Sequence, residues 1–179
     1  MPGEAPLPYD HLPDVPSFTV ESDEVAHGTP VPEAQTADAR VGRPGANVSP
    51  GLRWSGFPEG TRSFAVTMFD PDAPTGSGFW HWLLVDIPPD VTELPAGAGS
   101  GGDLPPGAFH VRNDPGLREY VGPFPPPGHG PHRYVIAVHA LDVDSLGIDD
   151  SVSPAVVGFN LSQHTLGRAV IVPTYAFEG

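Results

Sequence analysis

Two short stretches of the chain hold most of the side chains that could do chemistry. Asp70 and Asp72 flank Pro71, and His81 follows after the ten residues 71–80. Further on, His129 and His132 flank Gly130-Pro131, with Tyr134 two residues beyond. Two imidazoles and a phenol are donors suited to an oxyanion such as phosphate, and carboxylates either orient the imidazoles or meet a neighbouring ammonium group. A zwitterionic headgroup would satisfy both halves.

The same residues allow other readings. Asp70, His81 and His132 could form a two-His-one-carboxylate metal set, with His129 as a further donor. A hydrolase would need a nucleophile, yet no Gly-x-Ser-x-Gly elbow occurs and nothing marks Ser77 as activated. With no cysteine, thiol chemistry is excluded. Asp70-Pro71-Asp72 also reads as a plain turn, and His81, between Trp80 and Trp82, as a hydrogen-bonded core residue. His110, His129, His139 and His164 read as surface or structural.

Strands must position these residues. Phe64–Asp70 is β-branched and aromatic, with Phe64, Val66, Met68 and Asp70 on one face. His81–Ile87 stops at Pro88-Pro89, and His132–Leu141 is the longest apolar run. Near-continuous apolar runs predict strands covered on both faces. If 64–70 and 81–87 pair antiparallel, the end of one meets the start of the other and Asp70 neighbours His81. The loop 122–131, rich in proline and glycine, would wall the same mouth with few obstructing side chains. Residues 17–20 predict a first short strand, and residues 21–51 are turn-rich. A helix follows Ser153-Pro154, with apolar residues at Val156, Val157, Phe159, Leu161 and Leu166. The segment 169–177 predicts a strand or extended chain. Many strands and few helices point to a mostly β antiparallel sandwich with a C-terminal helix. Residues 1–16, with five prolines, read as an extended arm that is ordered only if it docks, ahead of a single domain over 17–179.

Composition narrows the function classes. The 179 residues suit one core. Pro (25) and Gly (22) exceed a quarter of the chain, but they punctuate apolar runs and so read as turn chemistry rather than disorder. A net charge of −14 makes nucleic acid and anionic membrane surfaces poor partners. The three tryptophans lack the basic neighbours of a stacking platform. No apolar run approaches the ~18 residues that span a bilayer, and no signal peptide precedes the domain. A cytoplasmic protein is expected. Asn47-Val48-Ser49 and Asn160-Leu161-Ser162 match the glycosylation pattern by chance on that reading.

The motifs resemble the phosphatidylethanolamine-binding protein family, also called Raf kinase inhibitor-like proteins. The resemblance rests on Asp70-Pro71-Asp72-Ala73-Pro74, on His81-Trp82, and on Tyr120-Val121-Gly122 through Pro125-Pro126 to Gly130-Pro131-His132-Arg133-Tyr134. The stretches 47–56 and 158–161 look like the bacterial branch. The resemblance covers roughly residues 17 to 177. It implies an antiparallel sandwich whose pocket binds small anions and phospholipid headgroups without catalysis or cofactor. Carried over by motif, the pocket residues are Asp70, Asp72, His81, Gly122, Pro126, His132 and Tyr134, with Tyr175 at the mouth by a looser match. Eukaryotic members have two adjacent histidines where this chain has Trp80-His81. The resemblance also suggests a homodimer and a protein partner, with the proline-rich loop 123–131 as a surface for one.

Overall fold

The computed structural model describes residues 4–179. Its strands are β1 (Thr19–Glu21), β2 (Leu52–Ser55), β3 (Ser63–Asp70), β4 (Phe79–Ile87), β5 (Glu93–Leu94), β6 (Phe109–His110), β7 (His132–Arg133), β8 (Val135–Leu141), β9 (Thr165–Ile171) and β10 (Thr174–Tyr175), with one α-helix, α1 (Pro154–His164). The central sheet has the order β6-β4-β3-β8-β9, and every named pairing within it is antiparallel. A second sheet, β1-β2-β5, and the pair β10-β7 complete the β-structure.

Every residue of β3 is buried, because the central sheet is covered on both faces. Side chains alternate across a strand. Phe64, Val66 and Met68 therefore join Val20, Leu52, Trp54 and Leu94 of the second sheet in one core. Ala65, Leu83, Val85 and Leu141 form another core with Val157 and Leu161 of α1. The molecule is a β-sandwich with a helix on its outer face.

Ser153 starts α1 by accepting a hydrogen bond from the Val156 N–H at 3.3 Å, with Pro154 in the first turn. The helix ends sooner than its apolar pattern suggests. Leu166 lies in β9, because Thr165 onward pairs with β8, beginning at Leu141↔Thr165. The long run 132–141 is likewise divided. His132–Arg133 pairs with β10, whereas Val135 onward pairs with β3 and β9, so the backbone changes partners at Tyr134.

The N-terminal arm is docked. Arg133 Nη1 pairs with Glu4 at 3.0 Å and Nη2 donates to the Ala5 carbonyl. Tyr9 stands edge-on to His139. Among the described residues, no helix is long and apolar enough to cross a membrane.

Candidate functional site

Asp70 ends β3 directly opposite Phe79, the first residue of β4. Strict alternation would turn His81 toward the helix-side core, along with Leu83 and Val85. A β-bulge prevents this: Met68 pairs with Trp82 and Phe69 with Trp80, leaving His81 without a partner on β3. The extra residue re-aims the side chain, as bulges do. His81 therefore lies against Tyr134 and Phe124, with ring centroids at 5.4 Å and 5.7 Å, on the inner side of the sheet. From the third strand end, His132 and Tyr134 share a face by alternation and stand 6.5 Å apart, nearly parallel.

These residues enclose a cavity of about 200 Å³, lined by Asp70, Phe79, His81, His132 and Tyr134, with Phe124, Pro125 and Pro126 as one wall and Ala73, Pro74 and Thr75 as another. Each oxygen of the Asp70 carboxylate accepts one hydrogen bond from the protein, and the Tyr134 hydroxyl lies close to this carboxylate. Its Oδ2 accepts from His132 Nδ1 at 2.7 Å, and its Oδ1 accepts from the Asp72 N–H at 2.8 Å. That bond fixes the His132 tautomer and leaves Nε2 facing His129 Nδ1 at 2.6 Å. Asp70, His132 and His129 thus form a hydrogen-bonded line from the buried cavity wall to an exposed imidazole.

His81 Nδ1 donates to the Val121 carbonyl at 2.8 Å. Burial lowers its pKa, outweighing the opposing pull of that carbonyl and of Asp70, so the ring is neutral with Nε2 as an acceptor. Tyr134 is fully buried, and its hydroxyl has no hydrogen-bond partner among the described residues. Burial, followed by the Asp70 charge, holds its pKa above the usual phenol value, so it is an O–H donor at any ordinary pH.

Of the other residues expected at the site, Pro126 lines the cavity, whereas Asp72, Gly122 and Tyr175 do not. Asp72 lies outside the cavity, where its two oxygens accept from Arg133 N, Nε and Nη2 at 2.8–3.0 Å. Burial opposes the Asp72 charge, but Arg133 outweighs it and holds the carboxyl below its usual range. Gly122 supports the wall from behind. A Cβ there would lie 2.3 Å from the Gln35 carbonyl oxygen, so only glycine permits that approach. Pro126 is on the rim. Tyr175 pairs with His132 across β10 and β7 and packs against the inner core without lining the cavity.

Two asparagines hold the wall in place: Asn47, noted in the sequence only within a glycosylation-like triplet and the stretch 47–56, and Asn113, which the sequence did not single out. Asn47, with φ of 53°, donates to the Tyr120 carbonyl at 2.9 Å and accepts from the Gly122 N–H at 2.7 Å. Its amide is buried and used at both ends. Asn113 donates to the carbonyls of His81 and Glu119 at 3.0 and 2.9 Å. Phe79 and Phe124 were also missed as pocket walls, since nothing local distinguishes them from core aromatics. A signal for Asn47 existed in its turn-rich setting, two residues after Gly45.

Of the alternative chemistries, neither finds a matching arrangement among the described residues. No three His, Asp or Glu side chains converge as a metal set. Both His132 nitrogens face protein partners, and His81 presents only Nε2. Ser77 is exposed on the loop above the cavity and makes no side-chain hydrogen bond to a histidine.

Comparison with known proteins agrees with this architecture. The model of the family described as phosphatidylethanolamine-binding protein matches residues 21–176. The UPF0098 protein YbcL of Escherichia coli is 45% identical over 164 residues, covering 90% of this chain and 89% of YbcL. Its crystal structure, titled as a new member of the mammalian PEBP family, superimposes with a TM-score of 0.86 over 90% of this chain and 99% of that one. The UPF0098 protein YbhB of the same organism is 43% identical over 156 residues, 87% of this chain and 98% of its own length.

Proposed function

Because this chain belongs to the phosphatidylethanolamine-binding protein family, we propose that its Asp70–His132 cavity binds a small phosphoryl anion or a phosphoethanolamine-like headgroup, as a binding protein without turnover. The observation that carries this is the Tyr134 hydroxyl, a buried donor without a partner in the cavity wall. Such a group is costly to leave unpaired. Across from it, neutral His81 offers an acceptor at Nε2. A phosphoryl group that keeps one proton fits both: P–OH donates to His81, and a P–O⁻ oxygen accepts from Tyr134.

Size supports the same choice. Sites for drug-sized ligands occupy roughly 300–1,000 Å³, whereas this cavity holds about 200 Å³, which suits a headgroup rather than acyl chains. Hydrogen bonds from His132 and the Asp72 amide reduce, without cancelling, the repulsion between Asp70 and an anion in the cavity.

Calorimetric titration with inorganic phosphate, phosphoethanolamine and acetate tests the proposal, using wild type and His132→Ala. Saturable binding of the phosphoryl compounds, weaker binding of acetate, and loss in His132→Ala are expected. Equal phosphate affinity in the two proteins would sink the pocket assignment.

A further inference from the structure

The basic residues of this chain are all arginines, eight in total, set against 22 acidic residues. Arg40, Arg53, Arg62, Arg118 and Arg133 each pair with a carboxylate. Arg43 and Arg112 donate to the carbonyls of Pro125 and Ser151. Arg168 differs from all of these. It is only 9% exposed, and among the described residues it has no carboxylate partner. Its one side-chain hydrogen bond runs from Nε to His139 Nδ1 at 3.3 Å.

None of the described carboxylates pairs with Arg168; Asp10 and Asp14 line an opening on its other side without reaching ion-pair distance. Accepting at Nδ1 commits His139 to the tautomer that donates from Nε2 to Thr67 Oγ1, at 2.9 Å, so this imidazole is uncharged. The guanidinium lies 4.1 Å over the Tyr9 ring, whose enclosed hydroxyl lies next to Thr67. A buried cation lacking a counter-charge is strongly destabilising unless something supplies one.

Beside it opens a cleft of about 410 Å³, larger than the Asp70–His132 cavity. Tyr9 and Leu12 of the arm form one side, Trp80 the floor, and Gly158 and Phe159 of α1 the other side. No acidic residue lines it, and Phe159 is 66% exposed at its edge. The cleft lies on the helix side of the central sheet, since Arg168 pairs with His139 across β9 and β8 while the Asp70–His132 cavity opens on the inner side.

We propose that this cleft binds an apolar monocarboxylate of the fatty-acid or aryl-carboxylate kind, its headgroup paired with Arg168 and its apolar body against Leu12, Trp80 and Phe159. A single buried cation at one end of an otherwise apolar trough matches one negative charge on a hydrophobic tail. The inference does not depend on the phosphoryl reading of the other cavity.

Sodium octanoate is the probe, titrated calorimetrically against wild type, Arg168→Gln and Gly158→Leu, with octanol as the uncharged control. Gly158 lines the cleft and a Cβ there would meet no atom within 4 Å, so a leucine can be accommodated and takes up part of the space. Saturable octanoate binding is expected in wild type, weakened about tenfold or more in Arg168→Gln and weakened in Gly158→Leu. Octanol should bind wild type and Arg168→Gln alike. His132→Ala should leave octanoate binding intact. No saturable octanoate binding by wild type, equal affinity in Arg168→Gln, or undiminished binding in Gly158→Leu would each overturn the proposal. Should Arg168→Gln fail to fold, the Gly158→Leu result decides it.

Discussion

Replacing Tyr134 by phenylalanine should move stability and affinity in opposite directions. The Tyr134 ring is fully buried against His81 and His132, and phenylalanine keeps that packing. Only the hydroxyl is lost, and none of the described residues makes a hydrogen bond of good geometry to it. An unsatisfied buried polar group costs about 1–3 kcal/mol, so the ligand-free variant should gain about 1–2 kcal/mol. For a domain of this size each kcal/mol moves Tm by roughly 2–4 °C, which gives a rise of roughly 2–8 °C. Binding should suffer in return. A hydrogen bond to a charged oxygen is worth about 1.5–3 kcal/mol, or about 10- to 150-fold in phosphate affinity. Thermal unfolding in phosphate-free buffer reads the first effect, and calorimetric titration with phosphate reads the second. A variant that melts at or below wild type without phosphate, or binds phosphate as tightly as wild type, would refute the reasoning.

Three other outcomes follow from the structure. Burial keeps His81, His139 and His110 neutral, the last with its pKa lowered to about 4. The unfolded chain protonates these rings near pH 6.5, so it binds more protons than the folded state below that point. Stability should be fully present above pH 6.5 and fall as the pH drops toward 4; a urea midpoint that stays flat across this window would contradict the assignment. Asp72→Asn should loosen the Arg133 clamp at a cost of about 1 kcal/mol while leaving phosphate affinity within about twofold of wild type. Asp70→Asn, by contrast, should release His132 and lose binding, and calorimetry on the two variants separates them. Gly122→Ala must push the Gln35 and Thr36 backbone away from a Cβ contact of 2.3 Å, costing about 1–3 kcal/mol, read as a lower urea midpoint.

The sequence by itself determined a good deal of this. Apolar alternation in 64–70 and the continuous runs in 81–87 and 132–141 specified strands buried on both faces, because side-chain direction in a strand is set locally every second residue. The same rule placed Asp70 at a strand end and put His132 and Tyr134 on one face. Ser153-Pro154 fixed the start of α1 through capping, which is also local. The end of α1 was not legible, since the pairing of Thr165 with Leu141 across 23 intervening residues overrides helical periodicity.

The tertiary structure decided which side of the sheet His81 serves. Alternation alone sends it to the helix-side core, and only the register of β3 against β4 reveals the bulge that turns it into the cavity. The same holds for Asp72 and Gly122. Motif position groups them with Asp70, yet one carboxylate is taken by Arg133 and the glycine gives passage to the Gln35 backbone. The unpartnered hydroxyl of Tyr134 and the unpaired guanidinium of Arg168 are properties of what fails to approach them from distant segments. Local sequence encodes the direction of a side chain; whether a buried polar group finds a partner depends on packing among elements far apart in the chain.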